Sequence, residues 1–84
     1  MHEMTIVLKV VRSMDAYAKK FQIPEVRGVV VDIGQESSVV PVFFRSCWDP
    51  AVGKSDHLQN ADLELHEIPH SRDIQIREIL VDQT

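Results

Sequence analysis

The chain has 84 residues, of which 44% are hydrophobic and 26% are charged, and it contains one cysteine. This length supports one small domain with a limited core. One cysteine excludes an internal disulfide and a CxxC zinc site. Thirteen acids against nine bases, a net charge of −4, argue against a general nucleic-acid binder. No apolar stretch could span a bilayer and no secretory signal is visible, so we expect a cytoplasmic protein.

Residues 4–21 have the apolar spacing of an amphipathic helix. The apolar residues recur every three or four positions, and Val10 and Tyr17 widen the face that they form. They are Met4, Val7, Val11, Met14, Ala18 and Phe21. Pro24 prevents the helix from continuing.

Residues 25–33 predict a strand that is covered on both faces, because they are rich in β-branched residues with no clean alternation. A polar turn follows, in which Ser37 or Ser38 could cap a second helix with Pro41 in its first turn. We expect Pro50 and Gly53 to limit this helix. Its apolar stripe consists of Val40, Phe43, Phe44, Cys47 and Trp48.

Two more strands are predicted at residues 61–68 and 73–81. The first alternates cleanly, whereas the second changes phase, which a bulge near Arg77 and Glu78 would explain. The short link between them predicts an antiparallel hairpin. The fold class is therefore α+β, with two helices packed on one face of a three-stranded sheet in the order α-β-α-β-β.

The amino end offers a set of metal-binding nitrogens. The α-amine of Met1, the imidazole of His2 and the backbone amides of His2 and Glu3 could lie in one plane around Ni(II) or Cu(II), which favour tetragonal geometry. The carboxylate of Glu3 could assist as an axial or outer ligand. Taken alone, this pattern is weak, since a terminus without a role would look the same.

Four segments resemble the HypA family of nickel-insertion accessory proteins. The start MHEMTI is similar to the family's Met-His-Glu-(Met or Leu)-Ser-Ile, and VVVDIGQESSVVP at 29–41 resembles its strand-turn-helix signature. Within that signature Gln35 replaces the usual Glu and Ser38 the usual Gly. The segments ADLELHEIP at 61–69 and IQIREILVD at 74–82 resemble the family's last two strands.

The resemblance implies a metallochaperone domain that binds Ni(II) through Met1, His2 and Glu3 for the maturation of nickel-iron hydrogenase or urease. It further implies, as partners, a nickel-handling GTPase and a hydrogenase precursor. In the family, Glu3 bears on nickel binding and on the GTPase. The resemblance leaves open which enzyme receives the nickel.

One departure from the family is large. Family members carry two CxxC motifs between the last two strands, and these motifs hold a structural zinc. Here those strands are joined by only a few residues near 69–73, without cysteine. We therefore expect residues 1–84 to form a single nickel-binding domain without structural zinc.

The remaining candidates favour ordinary structural roles. Cys47 falls on an apolar stripe and should be buried and inert. His66 should face solvent, His57 should be exposed in a loop, and His70 could be a weak accessory ligand. No nucleophile and base are paired, so no enzyme activity is predicted.

Two alternatives stay open beside the hypothesis of a nickel-binding domain. One is a metal-free docking module that keeps the fold. The other concerns assembly: exposed strand edges on so small a sheet would allow a homodimer.

Overall fold

The computed structural model describes residues 2–81, with only the backbone of His2. Within this range the chain forms two helices and three strands in the predicted order. The helices are α1 (His2–Lys20) and α2 (Pro41–Val52), and the strands are β1 (Val26–Gly34), β2 (Asp62–Ile68) and β3 (Ile74–Val81). The α+β class and the element order predicted from the sequence are confirmed.

Helix α1 buries the predicted stripe from Val7 to Ala18, but not its last member. Phe21 is exposed, as is Tyr17, and the two rings contact each other at a tilt of 45° with centroids 4.6 Å apart. The helix ends because Gln22 adopts a left-handed φ of 55°. The amide of Ile23 donates to the Ala18 carbonyl and that of Gln22 to the Lys19 carbonyl, which is the Schellman pattern. The chain therefore turns before Phe21 can reach the core.

Strand β1 is the centre of the sheet, whose order is β2-β1-β3. It pairs in parallel with β2 and antiparallel with β3. Val29, Val31 and Ile33 point towards the helices, and Val30 is buried on the opposite face. The prediction of a central, covered strand is confirmed.

The predicted hairpin between the last two strands is wrong. Strands β2 and β3 lie on opposite sides of β1, and residues 69–73 cross over its carboxyl end. The amide of Gln35 donates to the Ile68 carbonyl and that of Glu36 to the Ser71 carbonyl. A short link joins neighbours along the sheet in most proteins, but here the apolar β1 can be covered on both edges only if the link passes over it.

The bulge predicted near Arg77 and Glu78 is confirmed. Val30 pairs with Glu78 and Val31 with Ile76, so Arg77 is an extra residue without a partner of its own. Its guanidinium reaches Asp32 on the neighbouring strand, with Nε 3.0 Å from Oδ2 and Nη2 2.8 Å from Oδ1. The bulge therefore directs a cation towards the acid of the central strand.

Helix α2 packs over strand β2 and the residues before it. The Trp48 indole Nε1 donates to the Ala61 carbonyl at 2.9 Å, and Arg45 donates to the Leu63 carbonyl at 3.0 Å. Pro50 lies inside the helix and does not end it, because a missing N–H in the last turn removes only one hydrogen bond. Phe44, Cys47 and Trp48 are buried as predicted, whereas Phe43 is exposed.

Neither α1 nor α2 combines the length and the apolar character that a helix needs to cross a lipid bilayer.

The link over β1 generates a stability prediction. A Cβ added to Gly34 would lie 2.2 Å from the backbone oxygen of Ser71, whereas one added to Gly53 would lie 3.4 Å and 3.9 Å from the carbonyl oxygens of Asp49 and Pro50. Gly34→Ala should therefore lower the free energy of unfolding by about 3 kcal/mol, because backbone must move. Gly53→Ala, in a helical conformation, should change it by less than about 1 kcal/mol.

Chemical denaturation of the two variants and the parent chain measures this difference. Equal effects of the two alanines would contradict the close crossing of the link.

Candidate metal centre

The predicted metal ligands lie at the start of α1, and the structure describes them only in part. Met1 and the side chain of His2 are outside the described residues. The helix already includes His2, and the first N–H groups of a helix have no acceptor inside it. The amide nitrogens of His2 and Glu3 are therefore not used by the hydrogen bonds of the helix.

The carboxylate of Glu3 joins this terminus to the start of α2. Glu3 is only 7% exposed, and its Oε2 accepts a hydrogen bond from the amide of Val40 at 3.2 Å. Val40 is the N-cap residue of α2, and its apolar side chain cannot accept a hydrogen bond from the first turn of the helix. A glutamate in a capping box makes the same contact from within one helix, whereas Glu3 makes it from a different helix.

The expectation that Ser37 or Ser38 caps α2 is therefore wrong. The helix begins at Pro41, too far along the chain for either hydroxyl to serve its first turn. Ser37 Oγ instead accepts from the Val39 amide at 3.3 Å and stabilises the turn. Sequence reasoning missed the Glu3 contact because 37 residues separate its two partners.

Apolar side chains surround this junction. Val42 is 66% exposed and Phe43 is 52% exposed, and Val40 is exposed beside them. A cleft of about 200 Å³ is lined by Ile6 of α1 and by residues 37–39 of the turn. The first turn of α1 therefore lies next to a partly apolar surface rather than in a polar pocket.

The other histidines lie in three different parts of the fold: His57 in the loop before β2, His66 in β2 and His70 in the link after it. His57 is half-buried rather than exposed, because its Nδ1 lies 3.3 Å from the Pro24 carbonyl oxygen. His66 is partly exposed and contacts the carboxylate of Glu64, and His70 is exposed in the link with a left-handed φ of 59°. Within residues 2–81, no group of three or more His, Cys, Asp or Glu side chains could hold a metal ion.

The sole cysteine is in the core. Cys47 is buried among the residues of α2 and forms no disulfide. Burial among apolar neighbours fits an inert thiol, as the sequence predicted.

Two of three comparisons with known proteins found matches, and these two agree with each other. The family model described as hydrogenase/urease nickel incorporation, metallochaperone, HypA matches residues 1–73. The solution structure of the Ni metallochaperone HypA from Helicobacter pylori is similar with a TM-score of 0.85 and 18% sequence identity, over 96% of this chain and 97% of that one. A second solution structure of a HypA protein has a TM-score of 0.80 and 18% identity, over 96% of each chain. A comparison with curated protein sequences gave no match.

The Glu3 contact predicts how the terminus is held. Glu3→Ala should lower the free energy of unfolding of the metal-free protein by about 1–2 kcal/mol, because the Val40 amide loses its acceptor. Glu3→Gln keeps an oxygen acceptor and should lose less than half as much. Thermal unfolding of both variants without metal measures this, and equal losses would show that the hydrogen bond is unimportant.

The turn before α2 gives a second prediction. Ser38 has a φ of 67°, a left-handed value that favours glycine, and the HypA family usually has Gly at this position. Ser38→Gly should therefore raise the free energy of unfolding by about 1 kcal/mol. Ser46→Gly, the same change inside α2, should lower it by about 0.5 kcal/mol. Urea denaturation of the pair provides the measurement, and destabilisation by both glycines would contradict it.

Proposed function

Because the chain belongs to the HypA family of hydrogenase/urease nickel-incorporation metallochaperones, we propose that its amino end binds the nickel ion that the family delivers. The family model spans the proposed ligands as well as most of the domain. Metallochaperones of this family are not enzymes, and the chain is one of them. Nickel is therefore a cargo that is bound and handed on.

The proposed ligands are the α-amine of Met1, the imidazole of His2 and the amide nitrogens of His2 and Glu3. Four nitrogens this close along a chain suit a square-planar ion, and a terminus that begins at Met1 supplies them all. The observation that carries the proposal is the position of the terminus: the first turn of α1 leaves these amides without acceptors in the helix.

The proposed role of Glu3 is to position the terminus. One carboxylate oxygen already accepts from the Val40 amide, and the side chain is buried. This arrangement supports the backbone nitrogen of Glu3 as the ligand and its side chain as the anchor. The anchor would keep the end of the chain in one place while the metal is exchanged.

We further propose that the chain works in the cytoplasm with a nickel-handling GTPase and a hydrogenase or urease precursor. The exposed Val42 and Phe43 beside the terminus would suit a protein that receives the ion directly. The link at residues 69–73 has no cysteine, so we propose that nickel handling here does not use a structural zinc in that link.

Nickel titration tests the proposal. In a chain whose first residue is Met1, His2→Ala should weaken Ni(II) binding by at least about tenfold. Loss of a residue that only positions a metal ligand already lowers affinity by about tenfold or more, and His2 is itself a proposed ligand. One glycine added before Met1 should weaken it comparably, because the α-amine moves away from His2. Affinity should also fall as the pH drops below about 8, where the α-amine becomes protonated.

The matched control is His66→Ala, which removes a partly exposed histidine of β2 and should leave the affinity unchanged. Isothermal titration of all four chains gives the affinities. Nickel binding that survives His2→Ala, or that is no tighter than binding to a short histidine peptide, would favour the metal-free docking module instead.

A further inference from the structure

The charges of the chain are unevenly distributed between α1 and the rest. Helix α1 carries four of the nine bases and only two of the thirteen acids. One of these acids, Glu3, is buried against α2, and the other, Asp15, is paired with Lys19 at 3.3 Å. The surface of α1 is therefore positive although the chain as a whole is negative.

A groove lies between α1 and the carboxyl end of α2. Its volume is about 260 Å³. Apolar side chains of both helices line the groove. Two cations line it as well: Arg12 of α1 and Lys54, which follows the end of α2. We call this site the basic groove, and its lining residues are Leu8, Val11, Arg12, Asp15, Ala51, Lys54 and Ser55.

The two cations of the basic groove are unpaired. Among residues 2–81, neither Arg12 nor Lys54 has a hydrogen-bond or ion-pair partner. Lys54 follows the carboxyl end of α2, where the helix dipole stabilises a cation without a carboxylate. Both charges therefore remain available to a ligand.

The acid that lines the groove already has partners among its own neighbours. The Ser55 hydroxyl donates to Asp15 Oδ1 at 2.7 Å, and this hydrogen bond, with the charge of Lys19, lowers the pKa of Asp15. Ser55 Oγ in turn accepts from the His57 amide at 3.2 Å. These contacts hold Asp15 and Ser55 in place at the end of the groove. Arg12 and Lys54 are then the groups of the groove that can bind an anion.

We propose that the basic groove binds an acidic, amphipathic segment of another protein. An apolar side chain of that segment would lie on Leu8, Val11 and Ala51, and its carboxylates would meet Arg12 and Lys54. The segment would therefore carry Asp or Glu beside Leu or a similar residue, as helices that lie in hydrophobic grooves do.

The size and chemistry of the groove favour a peptide over other anions. A volume of about 260 Å³ is smaller than the usual ~300–1,000 Å³ of small-molecule pockets and fits one or two side chains. A polyphosphate or nucleic acid would gain nothing from the apolar floor.

The experiment uses a short, acetylated and amidated peptide of Leu, Glu and Ala, with Leu at helical spacing. Titration into the ¹⁵N-labelled full chain should shift amide resonances of residues 8–15 and 51–55 selectively. The Arg12→Glu/Lys54→Glu variant should bind at least about tenfold more weakly, because charge reversal replaces attraction by repulsion. The protein is kept free of metal, so failure here leaves the nickel proposal untouched.

Controls separate the groove from general electrostatics. Arg27→Glu/Arg72→Glu makes the same change in net charge at two exposed positions outside the groove. It should bind within about twofold of the parent at moderate salt, where screening acts over about 10 Å. A peptide with Ser in place of Leu, and tripolyphosphate, should both bind much more weakly. Equal binding of these probes, equal losses in the two double variants, or shifts outside the groove would each overturn the proposal.

Discussion

Burial of β1 on both faces and both edges is the constraint on which the rest of the structure depends. Its apolar residues on one face need the helices, and Val30 on the other face needs cover from neighbouring side chains. Its backbone needs a strand on each edge, since a buried unpaired amide is costly. Strands β2 and β3 therefore lie on opposite sides, and the link between them crosses β1 at Gly34, where no side chain would fit.

The free edges of this small sheet are treated differently. On β2, Arg45 donates a hydrogen bond to the Leu63 carbonyl, and Trp48 donates one to the Ala61 carbonyl just before the strand, so α2 covers that side. On β3, the bulge interrupts the regular spacing of the edge and places Arg77 and Glu78 there. Covering by side chains, bulges and charges are the usual means by which proteins prevent edge-to-edge pairing. A homodimer through strand edges would have to overcome them.

The contact between Glu3 and Val40 connects the fold to the proposed function. It couples the first turn of α1 to the first turn of α2, so the position of the start of α1 depends on the packing of the two helices. A flexible terminus would lose more conformational freedom on binding a metal than one whose third residue is already fixed. The apolar side chains beside this contact extend the same region into a surface that a partner could recognise.

Local patterns were sufficient for the elements of this chain. The spacing of Val7, Val11 and Met14 identifies α1, the β-branched run identifies β1 as central, and the phase change identifies the bulge at Arg77. The family signature identified the segments around Gly34 and Pro41. These features could be predicted because helix period, strand alternation and turn chemistry act between residues that are close in the sequence.

Tertiary structure decided what depends on distant residues. The hairpin prediction is wrong because the length of a link limits only the distance between two strands. It does not determine on which edge of β1 the second strand pairs. Local capping preferences favour a nearby serine at the start of α2. The amide of its N-cap residue instead donates to the buried carboxylate of Glu3, which belongs to the other helix. The single cysteine predicts a domain without a structural zinc in the link between β2 and β3, and this stays a prediction. Only the packing of α1, β1 and α2 showed how the amino end of that domain is held.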